Sequence, residues 1–294
     1  MFKFLIYKFG QFLVNHLSLE ACYRVGIFFS DLQYLFSFRD RQAVRDNLRV
    51  IMPKENNLAP HVREVFRNFG RYLVEFFRMV RELDKNFIRD RVRIFNIERL
   101  KQAKANGKGI ILLTAHIGNW ELGGVILSLL GYPYVAIALP HKERPVNELF
   151  NDQRELRGVT IVSINNAMRK CLETLRNNGI VAMVADRDFT ANGEILDFLG
   201  KETLIPKGAA IFAAKTGAAI LPIFLIRQND NTFNLFFEEP IYAPQEVAAE
   251  VVDKDILLGI MKRYVAVIEE KIKEYPTQWL MFRRFWVQTA TPIN

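Results

Sequence analysis

The hydrophobic pattern of the chain changes near residue 109. Upstream of that position, apolar residues recur every three or four places, which is the spacing of one face of an α-helix. The segment 61–83 shows this spacing at Val65, Phe66, Phe69, Leu73, Phe76, Phe77 and Val80. The segment 39–53 repeats it and stops at Pro53, so both segments are predicted to be helices.

From residue 109 onward, short apolar runs alternate with helical patterns. The runs cover 109–115, 134–139, 159–163, 180–185 and 218–226, and the helical patterns lie near 119–130, 143–157, 167–177 and 207–216. This alternation predicts an α/β fold with a largely parallel central sheet flanked by helices. Residues 231–240 are predicted to add an antiparallel edge strand, and a long helix is predicted over 245–274. Active sites in such sheets lie beyond the carboxyl ends of strands.

The first 38 residues are rich in Phe and Leu, but charged residues interrupt every apolar run before it reaches the roughly 20 residues that span a bilayer. A cleavable signal peptide would need a longer uninterrupted apolar region and a small-residue cleavage site. Two amphipathic helices fit the pattern, either packed on the protein's own core or lying in a membrane interface. The abundant Phe and the flanking basic residues favour the interface. We therefore predict membrane-associating helices over 1–38 and an α/β domain over 39–294.

The overall charge indicates an acidic partner. The chain has 40 Lys and Arg against 32 Asp and Glu, a formal net charge of +8. Such a balance suits nucleic acid, anionic lipid, a phosphorylated substrate or an acidic carrier protein. Cys22 and Cys171 form no CxxC pair, so neither a disulfide framework nor a zinc ribbon is predicted, and a reducing compartment is expected.

A histidine ends the first apolar run and a glutamate follows five positions later, in GIILLTAHIGNWELGG over 109–124. On one continuous helix, His116 and Glu121 would lie about 140° apart. They can meet if the strand ends at His116 and Glu121 opens the next helix, with Asn119 as its N-cap. The carboxylate would then orient the imidazole and stabilise the imidazolium that forms when a proton is abstracted. The alternative is a purely structural capped junction.

A basic segment follows the second run. Arg144, Arg154 and Arg157 lie in it and form either a solvated helix face or a site for a phosphate or an oxyanion.

The fourth run ends at Asp186, Arg187 and Asp188, which form either an ion-pair cluster or part of the site around His116. Pro206 is expected to start a helix whose first turn, at Gly208, could hold a carbonyl or a phosphate. The candidate substrate-binding or oxyanion residues are therefore Asn119, Arg144, Arg154, Arg157, Asp186, Arg187, Asp188 and Gly208.

Several kinds of chemistry lack their sequence motifs. The chain contains no G-x-S-x-G nucleophile elbow, no P-loop and no G-x-G-x-x-G fingerprint. Side chains that could ligate a metal are His116, His141, Glu121, Asp186 and Asp188, but they show no ligand spacing such as H-E-x-x-H, so no metal site is predicted. A histidine that activates a hydroxyl for direct attack is the simpler chemistry.

Taken together, five ordered blocks resemble a known family. They read RDNLRVIMP with FRNFGRYLVEFFR, TAHIGNWELGG, RPVNELFNDQRELRG, DRDFTANGEILDFLGKETLIPKGAAIFAAKTGAAILPIF, and YPTQWLMFRRF. The chain is similar to the bacterial lipid A biosynthesis lauroyl/myristoyl acyltransferases, in the lysophospholipid acyltransferase superfamily. The signature of that superfamily is His, four residues, then Asp or Glu. The family also includes phosphatidylinositol mannoside acyltransferases.

The resemblance implies an O-acyltransferase of lipid A and lipopolysaccharide biosynthesis at the cytoplasmic face of the inner membrane. His116 would be the general base and Glu121 its charge-relay partner. Arg154 or Arg157 would stabilise the oxyanion or hold the acceptor, and Asp186 and Asp188 would position the substrate or the histidine. The donor would be an acyl carrier protein or coenzyme A thioester and the acceptor a membrane glycolipid. No cofactor and no nucleic acid would be needed.

The acceptor is less closely indicated than the chemistry. Where many lipid A enzymes have His-Arg-Arg-Phe, this chain has Phe282, Arg283, Arg284 and Phe285. The Asp-Arg-Asp block resembles the mannoside-acylating branch equally. A lipid A precursor is the first choice, with a phosphatidylinositol mannoside or a lysolipid as alternatives. A metal-assisted phosphoesterase or hydrolase and a non-catalytic membrane-binding module are the rival functions.

Overall fold

The structure, a computed structural model of the 294-residue chain, describes residues 2–140, 143–163, 167–189, 191–244 and 253–286. The predicted helix over 245–274 is observed as Lys254–Glu274, and residues 245–252 lie outside the described part. The candidate ligand His141 also lies outside it.

Helices dominate the first third of the chain. They are α1 (Phe2–His16), α2 (Leu19–Phe36), α3 (Phe38–Ile51), α4 (Ala59–Glu82) and α5 (Lys85–Arg91). Ser18 caps α2 by accepting a hydrogen bond from the backbone N–H of Ala21, and α3 ends just before Pro53. The two helices predicted from residues 39–53 and 61–83 are confirmed.

The rest of the chain forms the α/β part, and the predicted fold class is confirmed. The strands are β1 (Val92–Phe95), β2 (Ile110–Thr114), β3 (Val135–Ala138), β4 (Thr160–Ser163), β5 (Ile180–Val184), β6 (Glu194–Phe198), β7 (Lys201–Ile205), β8 (Ala219–Arg227) and β9 (Phe233–Phe237). The helices are α6 (Ile97–Ala105), α7 (Trp120–Leu129), α8 (Arg144–Glu155), α9 (Ala167–Arg176), α10 (Gly208–Thr216) and α11 (Lys254–Glu274).

Seven strands form the central sheet in the order β1-β9-β8-β2-β5-β3-β4. Neighbouring strands run parallel except at the β8–β9 pair, which is antiparallel. The prediction that 231–240 forms an edge strand is wrong in position, because β1 pairs outside β9. The sequence pattern does not reveal β1, since four residues carry too little periodicity to distinguish a strand from a helix end.

A separate antiparallel hairpin, β6–β7, follows the Asp-Arg-Asp block. The hydrophobic pattern of the sequence does not predict this hairpin. Its turn places Leu199 and Gly200 at φ values of 57° and 80°.

Helices cover both faces of the sheet, which is why its central strands are apolar throughout. Because side chains alternate along β2, Ile111 and Leu113 pack towards α9, α10 and α11, whereas Ile110 and Leu112 pack towards α7 and α8.

A close helix crossing holds the N-terminal helices on the rest of the protein. The contact between α2 and α4 is built on Gly26, Ser30 and Gly70, and a Cβ at position 70 would lie 2.1 Å from the Ser30 hydroxyl oxygen. The two backbones therefore approach more closely than any larger residue would allow.

The outer faces of α1 and α2 are apolar and exposed. Their exposed large side chains are Leu5, Ile6, Phe9, Phe12, Phe28, Phe29, Leu32, Leu35 and Phe36, with Phe38 at the start of α3. Among the described residues, no helix combines the length and the apolar character needed to cross a membrane.

The C-terminal segment returns to the edge of the sheet where β2 ends. A short 3-10 helix, Pro276–Gln278, leads into Trp279, which pairs with Ile117 in an isolated antiparallel bridge. The Asn47 side chain on α3 donates to the carbonyls of Met281 and Arg283 at 3.1 and 2.8 Å and accepts from the N–H of Phe285 at 3.0 Å. One buried amide thus holds three residues of this segment in place.

Candidate active site

His116 lies two residues beyond the carboxyl end of β2, where the sequence places it. Its backbone carbonyl accepts a hydrogen bond from the N–H of Leu280 at 2.7 Å, and the N–H of Gly118 donates to the carbonyl of Gln278 at 3.0 Å. The strand end and the C-terminal segment therefore hold the histidine loop from two sides.

Asp186 is the residue that orients the histidine ring. Nδ1 of His116 lies 2.7 Å from Oδ1 of Asp186, and the backbone N–H of His116 donates to Oδ2 at 3.1 Å. The indole N–H of Trp279 donates to the same Oδ2 at 2.9 Å. Because an ionised carboxylate only accepts hydrogen bonds, Nδ1 carries the proton and Nε2 is the ring atom left for a substrate.

Asp186 is fully buried and His116 is partly buried, so their charges affect each other's pKa strongly. Burial alone would lower the pKa of His116, but the adjacent Asp186 carboxylate more than offsets it, and the pKa lies above its ordinary value. Burial would raise the pKa of Asp186, but the charge and hydrogen bonds of His116 hold it below its usual range. Glu121 also raises the pKa of His116, and Arg283 lowers it.

The structure does not join the carboxylate of Glu121, the predicted orienting group, to the His116 ring by a hydrogen bond. That carboxylate instead forms a bidentate ion pair with Arg154 on α8, with Nε–Oε2 at 3.0 Å and Nη2–Oε1 at 2.6 Å. The register of the sheet explains why Asp186, and not Glu121, is the partner of His116. Thr114 pairs with Val184 in the β2–β5 register, so the residues two positions further on, His116 and Asp186, are neighbours across the strand ends.

Asn119 is the N-cap of α7, as predicted, but both ends of its amide are bound to protein. Its Oδ1 accepts from the N–H of Leu122 at 3.0 Å, and its Nδ2 donates to Oε2 of Glu75 at 2.6 Å. It is buried and does not line the cavity described below. Asn119 therefore supports the loop, and the expectation that it contacts substrate is not met.

Glu75 is a site residue that sequence reasoning missed. It is buried in α4, accepts from the Tyr23 hydroxyl at 2.8 Å and pairs with the guanidinium of Arg227 at the end of β8. These contacts tie α2, α4 and β8 to the histidine loop through Asn119. The only sequence signal was a carboxylate within the apolar stretch of a predicted helix, which alone does not name a partner.

Gly118 allows the loop to pass close to β8. Its φ is +61°, and a Cβ there would lie 2.0 Å from the carbonyl oxygen of Leu225. The next N–H, of Asn119, donates to that same oxygen at 2.9 Å. Only glycine meets both the backbone and the space requirement at this position.

Two predicted arginines lie away from the site. Arg144 has an 89% exposed side chain and pairs with Glu148, one turn further along α8. Arg157 donates to the carbonyl of Val80. Neither lines the cavity, so the proposed substrate contacts of Arg144 and Arg157 are not supported, whereas Arg154 does line it.

The residues predicted after the fourth apolar run and at the start of the following helix lie largely at the site. Arg187, Asp188 and Gly208 line the cavity with His116. Asp188 accepts a hydrogen bond from the N–H of Gly193 at 2.6 Å. The helix expected to start at Pro206 begins two residues later, at Gly208. Within the described ranges, no three His, Cys, Asp or Glu side chains form a group that could hold a metal ion.

A cavity of about 550 Å³ opens beside His116. Its polar residues near the strand ends are His116, Glu121, Arg154, Arg187, Asp188, Asn192 and Lys207. Its deeper wall lies between one face of the sheet and α7, and comprises Leu112, Gly123, Gly124, Leu127, Tyr134, Ala136, Phe150, Ile161 and Ala182.

The cavity follows the strands downward from the histidine. Ala136 and Ala182 lie level with Leu112, and Tyr134 lies level with Ile110 at the start of β2. Ile110 is four residues from Thr114, so the Tyr134 end lies roughly 13 Å below the end of the strand. The small residues leave a narrow apolar channel that is chemically suited to a hydrocarbon chain.

Comparison with known proteins identifies the family of this chain. The family model described as bacterial lipid A biosynthesis acyltransferase matches residues 2–288. A phosphatidylinositol mannoside acyltransferase of Mycolicibacterium smegmatis is 26% identical over 268 residues, covering 89% of this chain and 84% of that protein. A lipid A biosynthesis palmitoleoyltransferase of Escherichia coli is 23% identical over 253 residues, covering 85% and 79%.

Among solved structures, the 1-acyl-sn-glycerophosphate acyltransferase PlsC of Thermotoga maritima is similar, with a TM-score of 0.38 and 14% identity over 87% of this chain and 96% of that one. The family match extends over almost the whole chain. The chain therefore belongs to the bacterial lipid A biosynthesis acyltransferase family and is an O-acyltransferase of the lipid A and phosphatidylinositol mannoside type.

Proposed function

We propose that this protein moves a fatty acyl chain from a thioester donor to a hydroxyl of a membrane glycolipid, with His116 as the general base and without a covalent intermediate. The observation that carries the proposal is the His116–Asp186 pair at the mouth of a narrow apolar cavity. A base at one end and a hydrocarbon channel at the other are what acyl transfer requires.

The proposed reaction uses one proton carrier. Nε2 of His116 takes the proton of the acceptor hydroxyl while the hydroxyl oxygen attacks the carbonyl carbon of the thioester. The carbon–sulfur bond then breaks, and the imidazolium returns the proton to the leaving thiolate. Asp186 holds the ring and stabilises the imidazolium between these steps.

Arg154 is the proposed source of positive charge near the thioester oxygen. Burial would lower the pKa of its guanidinium, but Glu121 outweighs that effect and keeps it charged. Since Glu121 takes two of its donors and Asn151 a third, at 3.2 Å, Arg154 acts mainly through its field. The fixed ion pair keeps that charge in one place during the reaction.

The acceptor is proposed to be a lipid A precursor, with a phosphatidylinositol mannoside as the second candidate. The similarity to the Mycolicibacterium smegmatis enzyme over most of the chain supports the second candidate. The net charge of +8 suits an acidic acyl carrier protein as donor, with coenzyme A as the alternative.

The proposed location is the cytoplasmic face of the inner membrane, reached through α1 and α2. Both helices carry exposed large apolar side chains, and Phe28 and Phe36 are 63% and 80% exposed. Soluble proteins rarely leave so many large apolar side chains in water without a partner surface.

The first prediction concerns the reaction itself. Purified enzyme, incubated with an acyl thioester and a glycolipid acceptor, will add one acyl mass to the acceptor, measured by mass spectrometry. His116→Ala will lower the rate by about 10²-fold or more, because general-base catalysis contributes 10²–10⁴. Arg144→Gln, an exposed residue outside the cavity, is the control and will retain the rate. Cleavage of the glycolipid without a thioester, and loss of that cleavage on chelation, would favour a metal-assisted hydrolase instead.

The second prediction concerns pH. A general base must be neutral, so kcat/KM will fall as pH drops through the raised pKa of His116, above about 6.5. In Asp186→Asn the raising charge is gone, whereas burial and Arg283 still lower that pKa. The acid limb will therefore move to lower pH while kcat falls by about 10²-fold or more.

Asp188→Asn is the matched control for the pH profile, since its carboxylate bonds the N–H of Gly193 and not the histidine. Its acid limb will stay where the wild-type limb lies. An unmoved limb in Asp186→Asn would remove His116 as the titrating base.

The third prediction concerns chain length. A Cβ at Gly124 would lie 2.2 Å from the Tyr134 hydroxyl oxygen, so Gly124→Ala must push that ring or narrow the channel. Competition between thioesters that differ by two carbons will shift towards the shorter chain by about tenfold, equivalent to roughly two buried CH₂ groups. Gly259→Ala, where a Cβ has open space, will leave the ratio unchanged. An equal ratio in both variants would place the acyl chain elsewhere.

The fourth prediction concerns membrane binding. The double variant Phe28→Gln with Phe36→Gln will bind vesicles containing anionic lipid at least about tenfold more weakly in sedimentation assays, because two large apolar side chains no longer enter the interface. Leu156→Gln, exposed at the end of α8, is the control. Equal binding by all three proteins would show that α1 and α2 do not dock on lipid.

A further inference from the structure

Two guanidinium groups near His116 are not used by the proposed chemistry. Arg187 follows β5, and Arg283 lies in the C-terminal segment. Both contact the ring of Phe189, with Cζ of Arg187 at 4.1 Å and Cζ of Arg283 at 5.6 Å from its centroid. Two like charges thus share one aromatic ring at the edge of the site, although such charges repel one another.

Each arginine has a buried nitrogen without a hydrogen-bond partner in the part of the chain that the structure describes. These atoms are Nε of Arg187 and Nη2 of Arg283. Buried donors are nearly always bonded, and a charged donor left unbonded is costly. Their arrangement is therefore incomplete in the protein by itself.

The nearby carboxylate does not complete it. The oxygens of Asp186 already accept from the ring and backbone of His116 and from the indole of Trp279. Burial lowers the pKa of Arg283 more than the charge of Asp186 raises it, as expected for a cation without its own anion.

Arg283 is held in position by its backbone. Asn47 bonds its carbonyl, whereas the next residue, Arg284, is exposed and pairs with Asp46 at 2.7 Å. Adjacent arginines in one short segment thus have different surroundings. Arg284 is paired at the surface, whereas Arg283 lies beside Phe189, which lines the cavity.

The position of the pair fits a substrate headgroup. Arg187 and Phe189 line the same cavity as His116, and so does Gly208, the first residue of α10, whose helix dipole adds positive potential there. The deeper wall of the cavity, at Leu112, Leu127 and Ala182, is apolar.

We propose that Arg187 and Arg283 together bind a phosphate group of a substrate at the mouth of the cavity while the acyl chain occupies its apolar end. The proposal rests on the acyl transfer proposed above. Two guanidinium forks match the several oxygens and the charge of a phosphate better than a single carboxylate. The phosphate belongs either to the phosphopantetheine arm of the donor or to the glycolipid acceptor.

Steady-state kinetics of Arg187→Gln and Arg283→Gln test the proposal and separate the two sources. The donor arm compares an acyl carrier protein thioester with the acyl thioester of N-acetylcysteamine, which lacks phosphate. The acceptor arm compares a phosphorylated glycolipid with the same glycolipid after phosphatase treatment. In the arm that contains the source of the phosphate, KM of both Gln variants for the phosphate-bearing substrate will rise by about 10- to 100-fold. This is the effect of losing a charged hydrogen bond. KM for the phosphate-free analogue will stay unchanged.

Arg284→Gln is the matched control and will keep the wild-type KM in both arms. Arg283→Lys, which keeps the charge but loses the fork, will give an intermediate KM. The proposal is overturned if neither phosphate-bearing substrate shows a higher KM in the two Gln variants. An equal rise for the phosphate-free analogues would also overturn it.

If the wild type transfers no acyl group, the proposed function fails. A binding measurement then tests the proposed phosphate site by itself. Inorganic pyrophosphate will raise the Tm of the wild type and of Arg284→Gln, because a ligand that binds only the folded state stabilises it. It will not raise the Tm of Arg187→Gln or Arg283→Gln. Equal shifts in all four proteins would remove the anion site.

Discussion

The site depends on the register between β2 and β5. That pairing sets Thr114 opposite Val184, and two residues later it brings an imidazole and a carboxylate together at the same edge of the sheet. A shift of one residue would place one of the two side chains on the other face. The buried apolar side chains on both faces of these strands make such a shift costly, so the hydrophobic core also fixes the geometry of the His116–Asp186 pair.

Two carboxylates lie near the histidine loop, and each is bound to a different basic side chain. Asp186 is fully buried and bound to His116, whereas Glu121 is bound to Arg154 across the gap between α7 and α8. This division keeps two negative charges apart in a poorly solvated site. It also lets one carboxylate set the basicity of the ring while the other fixes a positive charge on the cavity wall.

The sequence predicted the α/β class, the helices around the sheet and the position of His116, because these follow from periodicity over long segments and from the edge rule for parallel sheets. It did not predict the features that depend on contacts between distant segments of the chain. The partner of His116 depends on which strand is the neighbour of β2. The role of Glu75 depends on the packing of α4 against the loop at Asn119, 44 residues further along the chain. The strand β1 and the β6–β7 hairpin were missed because their short patterns resemble loops.

The hydrogen bonds of Asn47 to residues 281–285 constrain the order in which the protein folds. The bond between Asn47 and Phe285 joins positions 238 apart, and Trp279 in the same segment completes the hydrogen bonds of Asp186. Contacts between such distant positions close large loops and form late. A chain without this segment lacks Trp279 and therefore cannot complete the hydrogen bonds of Asp186. The His116–Asp186 pair has its full set of hydrogen bonds only when this segment is closed onto α3.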